Sequence, residues 1–171
     1  MFNIAEGLNR GWATANAETY YIAGIQASMA SYGIPATGTY TAYFYDPLPT
    51  STTGVIDPGN YHTYNININW NTYYSQPAVQ YVIGATGLTR ILQQKYLAMF
   101  RHSGLEAYFN YRRTGVPTFT TGPGTDNGQR IAMRFQYPLS DRTGNTANYQ
   151  KALVSQYGGN DDINGIMWIL K

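Results

Sequence analysis

The sequence predicts a mainly α protein in which helices alternate with long, aromatic-rich loops. Apolar residues recur at helical spacing in several stretches, and glycine or proline follows most of these stretches. Period-two alternation, the pattern of a half-buried strand, is confined to a short run at residues 64–70. We therefore expect five helices and at most short β segments.

Residues 1–33 are predicted to form a helix pair. The opening helix continues to about Gly11, and Asn16 is placed to cap the next helix. Glu18 lies in the first turn of that helix, where a carboxylate complements the helix dipole. Apolar residues follow near helical spacing as far as Tyr32, and Gly33 is expected to stop the helix.

Residues 34–76 are predicted to be a loop-rich segment, dominated by glycine, proline, threonine, tyrosine and asparagine. Only Tyr64, Ile66, Ile68 and Trp70 alternate as a strand would. Loops longer than about 15 residues inside a compact domain are usually functional or disordered. The many aromatic side chains argue against disorder, so we expect this segment to pack against the rest of the protein.

Residues 77–116 are predicted to be helical. A first helix would run from about Thr86, its N-cap, to Arg101. Ser103 and Glu106 have the spacing of a capping box, so a second helix is predicted to start at Gly104.

The end of this second helix is marked by three signals that agree. Arg112 and Arg113 lie in the last turn, where positive charge is favourable. Gly115 follows as a C-terminal stop, and Pro117 lies just beyond it.

Residues 117–171 are predicted to be a loop followed by a C-terminal helix. Residues 130–137 look extended, and residues 145–157 form the helix, which Gly158 and Gly159 close. The apolar terminus at residues 166–170 is expected to dock on the helices. The whole chain is expected to be a single region, with no further division into domains.

The composition suits a surface that meets neutral polar ligands. Charged residues make up 12% of the chain, about half the usual share, while aromatic residues reach 15% and include 17 tyrosines. Aromatic faces stack on the apolar C–H patches of sugars, and hydroxyl and amide groups bind sugar hydroxyls. The alternative is that this composition reflects only an extracellular amino-acid preference.

Several function classes are disfavoured. A net charge of +2 is too small to argue for nucleic-acid binding, and the absence of cysteine excludes thiolate metal sites. Glycoside hydrolysis needs two carboxylates about 5 to 10 Å apart, whereas most acidic residues here lie in turn-like contexts. His62 and His102 are widely separated. We therefore expect no enzymatic activity, no cofactor and no metal site.

Five short segments, in order, carry a family resemblance: QP at residues 76–77, ILQQKYLA at 91–98, EAYFNYRRTG at 106–115, RFQYP at 134–138 and NTAN at 145–148. Together they resemble the C-terminal part of SusD/RagB proteins, and residues 6–33 resemble the helix pair that precedes it. Tyr96, Tyr108 and Tyr111 replace tryptophans of the family pattern, and Asn110 replaces an aspartate. The motif residues interpreted as structural are Gln94, Lys95, Glu106, Arg112, Arg113, Gly115, Arg134, Tyr137 and Pro138.

The resemblance implies a tetratricopeptide-like helical fold, of which this chain would be about the last third. It also implies a lipoprotein exposed at the cell surface on the outer membrane, attached through a lipid anchor outside this chain. The implied function is non-catalytic binding of a glycan or nutrient for uptake, with a TonB-dependent, SusC-like transporter as partner. The implied ligand is an oligosaccharide or polysaccharide.

The loop-rich segment holds the best candidates for glycan contact in this chain. The candidates are Tyr43, Tyr45, Tyr61, Tyr64 and Trp70 as stacking platforms, with Asn67 and Asn69 as hydrogen-bond partners. The alternative is a structural role, in which these aromatic residues fasten the segment onto helices or the transporter and the ligand site lies elsewhere.

Overall fold

The computed structural model describes residues 1–45 and 61–170, with the backbone alone at Phe44, Tyr45 and Tyr61. This part of the chain contains eight α-helices, one 3-10 turn and one two-stranded sheet. The prediction of a mainly α protein is therefore confirmed. The chain divides into two compact units, Met1–Gly104 and Leu105–Lys171.

The helix pair at the start of the first unit forms as predicted, with α1 at Phe2–Asn9 and α2 at Ala17–Ser31. The side chain of Asn16 caps α2 by accepting a hydrogen bond of 2.9 Å from the N–H of Glu18. The two helices approach closely because Gly24 has no side chain: a Cβ there would lie 2.9 Å from the ring of Phe2.

Tyr21 lies at the centre of the first unit and is fully buried. Its hydroxyl donates a hydrogen bond of 2.6 Å to the carbonyl of Val79, and burial raises the pKa of this phenol, which keeps it a donor. The other buried members of the cluster are Phe2, Ala5, Ile25, Val79 and Ile91. Burying one such large apolar side chain contributes about 1.5–3 kcal/mol, so this cluster holds α1, α2 and the following elements together.

Residues 37–45 and 61–69 are more ordered than the sequence predicts, because they form the two strands of a β-hairpin. Strand β1 (Thr37–Tyr45) pairs with β2 (Tyr61–Asn69) in antiparallel register, with Thr37 opposite Asn69. The sequence signal was weak because threonine, asparagine and tyrosine fill many of these positions, so the contrast between apolar and polar residues is small. Residues 46–60 lie outside the described part of the chain.

Helix α3 (Trp70–Tyr74) follows β2 directly. Asn69 ends the strand and caps the helix, since its side-chain oxygen accepts a hydrogen bond of 3.1 Å from the N–H of Thr72. The hairpin is also fixed at its base, where the N–H of Trp70 donates to the carbonyl of Ala36 at 2.8 Å.

Helix α4 (Ala85–Met99) begins at Ala85 with Gly84 as its N-cap, so the prediction of Thr86 as the cap is wrong. A tertiary contact accounts for the difference. The side-chain amide of Asn9 donates to the carbonyl of Gly84 at 3.0 Å and holds the chain at this point.

The predicted capping box at Ser103 and Glu106 does not form. Helix α5 (Glu106–Thr114) has Leu105 as its N-cap without a side-chain capping bond. The hydroxyl of Ser103 donates to the carbonyl of Met99 at 2.6 Å, so it is engaged with the preceding helix. The C-terminal stop is confirmed, because Gly115 adopts the left-handed conformation with φ of 74°.

The rest of the second unit contains α6 (Asp126–Gln129), α7 (Leu139–Gly144) and α8 (Thr146–Tyr157). Helix α6 is a single irregular turn, and α7 was not predicted. Helix α8 forms as predicted and ends at Gly158, which is left-handed with φ of 69°.

Two expectations for the C-terminal third differ from the structure. Residues 130–137 pair with no strand among the described residues; instead the N–H groups of Met133 and Arg134 both donate to the carbonyl of Ile163. The apolar terminus forms a 3-10 turn at Trp168–Leu170 and docks only in part, through the contact of Met167 with Arg112 of α5. Trp168 and Ile169 are 72% and 65% exposed.

Candidate functional site

One face of the hairpin is a regular row of small polar side chains. Residues directly opposite each other in an antiparallel pair share a face, and the register places threonines of β1 across from asparagines of β2. This row, which we call the Thr/Asn ladder, consists of Thr37, Thr39, Thr41, Asn65, Asn67 and Asn69. All six residues are exposed, and the hydroxyl of Thr41 donates to Asn65 Oδ1 at 3.0 Å. The ladder is an uncharged surface of hydroxyl and amide groups.

The opposite face of the hairpin is mostly apolar. It carries Tyr40, Ala42, Tyr64, Ile66 and Ile68. Tyr40 and Ile68 are half-buried, whereas Tyr64 is 54% and Ile66 is 42% exposed. The helices therefore cover this face only in part.

A cavity of about 380 Å³ opens where the base of the ladder meets α2 and α3. Its polar lining consists of Asn67, Asn69, Thr72 and Gln76, and its apolar lining consists of Met29, Ile34, Ile68 and Tyr73. None of these side chains is charged. The volume and the mixture of apolar walls with a few polar groups are typical of small-molecule sites.

Tyr43 and Tyr64, two of the predicted stacking platforms, lie on opposite faces of the hairpin. Tyr43 is opposite Thr63 on the ladder face and is 70% exposed, while Tyr64 is opposite Ala42 on the apolar face. The structure therefore does not bring these two rings together around one ligand.

Trp70 is packed against the first unit. Its ring stacks on that of Tyr74 with centroids 5.4 Å apart and an interplanar angle of 17°, and it contacts the buried cluster around Tyr21. Half-buried in this way, Trp70 fits the alternative interpretation, in which an aromatic residue fastens the segment to the helices.

Tyr45 and Tyr61 face each other in the register at the outer end of the hairpin. Their side chains lie outside the described part of the structure. Asn67 and Asn69, the two predicted amide contacts, both belong to the ladder and line the cavity at its base.

The threonine row of the ladder and the two cavity residues Thr72 and Gln76 were not predicted as site residues. A signal for the threonines was present, because Thr37, Thr39 and Thr41 repeat with the period of a strand. Without the register, nothing indicated that this repeat lies opposite the asparagine repeat.

The motif residues of α4 lie inside the first unit. Gln94 is 8% exposed, and its side-chain oxygen accepts a hydrogen bond of 3.0 Å from the hydroxyl of Tyr73. Lys95 is 6% exposed. The hydrogen bond between Gln94 and Tyr73 connects α4 to α3, the helix that follows the hairpin.

The motif residues of α5 form a network along that helix. The amide of Asn110 donates to Glu106 Oε1 at 3.3 Å and accepts from Arg113 Nη2 at 3.0 Å. Asn110 is 5% exposed. Spacings of three and four residues place these side chains on one side of the helix.

Arg134 is the buried centre of the second unit and is only 4% exposed. Its Nη1 lies 2.6 Å from Asp161 Oδ1, and its guanidinium carbon lies 4.2 Å from the ring centroid of Tyr157. Asp161 also accepts a hydrogen bond of 3.2 Å from the N–H of Tyr137. Burial by itself would raise the pKa of the Asp161 carboxyl, but these hydrogen bonds and the charge of Arg134 outweigh it and hold that pKa below its usual value.

Pro138, the last residue of the RFQYP motif, precedes α7 as its N-cap residue, without a side-chain capping bond.

In the part of the chain that the structure describes, no three histidine, aspartate or glutamate side chains cluster closely enough to hold a metal ion.

A family model described as SusD-like, for the Susd and RagB outer membrane lipoproteins, matches residues 1–170. The chain belongs to the SusD/RagB family. The five sequence motifs thus indicated the correct family, whose members are lipoproteins of the outer membrane. No helix among the described residues of this SusD-like chain is both long and apolar enough to cross a bilayer.

Solved SusD homologues have the same fold. Two from Bacteroides fragilis are 30% and 28% identical to this chain over 99% of its length, with TM-scores of 0.70 and 0.68. A chitin-binding SusD homologue from Flavobacterium johnsoniae is 26% identical over 99% of the chain, with a TM-score of 0.62. The chain spans 34%, 33% and 35% of these three proteins, about a third of each. No curated protein matches the chain.

Proposed function

We propose that the protein to which this SusD-like chain belongs binds a glycan or related nutrient at the cell surface, without catalysis, for uptake. The observation that carries this proposal is the family match over residues 1–170. The chitin-binding homologue supports a carbohydrate as the ligand. A SusC-like, TonB-dependent transporter would be the partner, and a lipid anchor outside this chain would attach the protein to the membrane.

Within this chain, the Thr/Asn ladder and its cavity are the proposed contact surface. Threonine hydroxyls and asparagine amides both donate and accept, as sugar hydroxyls do, and no charge has to be desolvated when they bind. Successive ladder residues on one strand are about 7 Å apart, so the ladder offers the same groups repeatedly along an extended chain.

The individual contacts follow from these positions. Asn67 and Asn69 would bind sugar hydroxyls at the cavity, and the exposed ring of Tyr43 would stack on a sugar at the other end of the ladder. Tyr45 and Tyr61 remain predicted contacts at that outer end. The packed Trp70 is assigned to holding the hairpin in place, and Tyr64, also a predicted contact, lies exposed on the other face.

The second candidate function is a protein interface on the apolar face of the hairpin. The exposure of Tyr64 and Ile66 favours it, because exposed apolar side chains on one face suit a protein partner. The two functions use different faces, so substitutions on each face distinguish them.

The placement of the adjacent carboxylates supports a non-catalytic role. Asp161 is paired with Arg134, and Asp162 Oδ1 accepts a hydrogen bond of 2.8 Å from the N–H of Asn164. Both carboxylates therefore make contacts within the second unit, which favours a structural role for each of them.

The test is calorimetric binding of neutral oligosaccharides, chitin oligosaccharides included, to the chain. The paired change Thr39→Ala with Asn67→Ala removes two facing ladder groups and should weaken binding roughly tenfold, because each hydrogen bond contributes about 0.5–1.5 kcal/mol. The matched control is Ile66→Thr, which alters the other face and keeps a β-branched residue.

The two candidate functions predict opposite outcomes. If the ladder binds the glycan, the paired change weakens binding and Ile66→Thr does not. If the hairpin is a protein interface, neither change affects glycan binding, and Ile66→Thr lowers co-purification with the transporter. If the folded chain binds no oligosaccharide, the ladder is ruled out as a glycan site.

A further inference from the structure

The second unit contains a cavity of about 420 Å³ that the proposed hairpin site does not use. Residues of α5, of α8 and of the segment before α7 line it. The lining residues that matter for its chemistry are Arg112, Phe135, Gln136, Tyr137, Gln156 and Tyr157.

Arg112 is the unusual side chain in this cavity. Its Nε is buried and has no hydrogen-bond partner in the described structure. Its Nη2 lies 2.7 Å from Met167 Sδ, and a thioether is only a weak acceptor. The guanidinium carbon lies 5.1 Å from the ring centroid of Tyr108, which is a cation–π contact. This contact does not provide a hydrogen-bond acceptor for the N–H at Nε. A buried charged donor left in this state lacks the partner that such groups normally have.

The charges around the cavity do not balance. Two guanidinium groups line it, and the one of Arg134 is paired with Asp161 at 2.6 Å. No carboxylate of the described residues pairs with Arg112. One positive charge therefore remains at the cavity, and a guanidinium matches the planar geometry of a carboxylate or the oxygens of a sulfate.

The rest of the lining suits a sugar ring. Phe135 is 63% exposed at the cavity and offers an open aromatic face, whereas Tyr157 has the guanidinium of Arg134 over its ring. Gln136 and Gln156 are exposed amides that can donate to and accept from hydroxyl groups.

From this combination we infer that the cavity is a second carbohydrate site, which binds an acidic sugar residue. Its oxyanion pairs with the guanidinium group of Arg112, which lines the cavity, and its ring stacks on Phe135. This inference rests on the proposed function, since it takes glycans to be the ligands, but it concerns a different unit from the Thr/Asn ladder and a charged sugar.

The experiment measures calorimetric binding of a uronic-acid oligosaccharide and of its neutral methyl ester to the chain. The acid should bind at least roughly tenfold more tightly than the ester, because only the acid makes a charge-assisted hydrogen bond. This preference should shrink at high salt, where the attraction is screened. A sulfated oligosaccharide and its unsulfated parent show whether sulfate serves as well as carboxylate.

Three variants assign the preference to this cavity. Arg112→Gln should abolish the preference for the acid, and Arg112→Lys should keep only part of it, because lysine has the charge and lacks the planar guanidinium group. Phe135→Ala should weaken the binding of the acid and of the ester to the same extent. The matched control is Lys151→Gln, which removes one positive charge from an exposed site on α8 outside the cavity lining and should change nothing.

Equal binding of the acid and the ester by the wild-type chain would overturn the inference, whether or not a variant folds. An acid preference that survives in a folded Arg112→Gln variant would overturn it too. If neutral glycans bind through the ladder and the chain shows no preference for the acid, the proposed function stands and only this second site is ruled out. A chain that binds neither neutral nor acidic glycans would remove both.

Discussion

Single buried polar side chains join distant segments in both units. The hydroxyl of Tyr21 reaches the carbonyl of Val79 across 58 residues, and Arg134 reaches Asp161 across 27 residues. When one member of such a pair is removed, the other remains buried without a partner. These side chains are therefore the positions at which small chemical changes should matter most.

Tyr21→Phe should lower the free energy of unfolding by about 1–3 kcal/mol, because it leaves the carbonyl of Val79 buried without its donor. Urea denaturation measures this. Tyr43→Phe is the control, since Tyr43 is 70% exposed, and it should stay within about 0.5 kcal/mol of the wild type. Equal effects of the two changes would mean that the buried hydrogen bond contributes nothing.

Asp161→Asn should destabilise the second unit by roughly 3–5 kcal/mol, because it leaves the buried charge of Arg134 without its counter-ion. The control is Asp162→Asn at the next position, where the side-chain oxygen that accepts from Asn164 is kept. Thermal unfolding followed by circular dichroism should show a lower Tm for the first variant only. A similar Tm for both would contradict the assignment of Arg134 and Asp161 as the centre of this unit.

At the scale of elements, the helix ends were more predictable than the helix starts. The stops at Gly115 and Gly158 form as predicted, because glycine alone adopts the left-handed conformation without strain. The predicted N-caps Thr86 and Ser103 were wrong. The hydroxyl of Ser103 has another local acceptor, and a tertiary contact determines where α4 begins.

Gly115→Ala tests the end of α5. Alanine at a φ of 74° should cost about 1–2 kcal/mol, although no atom lies within 4 Å of the added Cβ. Gly144→Ala, in α7 and equally open, should be neutral or slightly stabilising, because alanine favours a helix. Chemical denaturation of both variants measures the contrast. Equal stabilities would show that strain at Gly115 is not what ends the helix.

At the scale of the whole molecule, the chain offers two separate surfaces of different charge. The first unit carries the Thr/Asn ladder and a cavity without charged side chains, and the second unit carries the cavity with Arg112. The chain spans about a third of the length of these solved homologues.

The pair of Arg134 and Asp161 also makes the stability of the molecule depend on pH. The native pKa of Asp161 lies below the value of about 3.9 for an unfolded chain. Its contribution is therefore complete above that value and is lost as the pH falls through the lower native pKa. Unfolding free energies measured from about pH 6 down to about pH 2 should fall less steeply for Asp161→Asn than for the wild type. Parallel curves would mean that the native pKa is not shifted.

The sequence by itself determined the helical class, the positions of α1, α2, α4, α5 and α8 to within a few residues, and the family. It could do so because helical spacing, glycine stops and short ordered motifs are local signals. Only the tertiary structure decided that Thr37, Thr39 and Thr41 face Asn69, Asn67 and Asn65, and that Arg112 lies in a cavity without a counter-ion. Strand register and the burial of a charge depend on residues far apart in the chain, which no local pattern records.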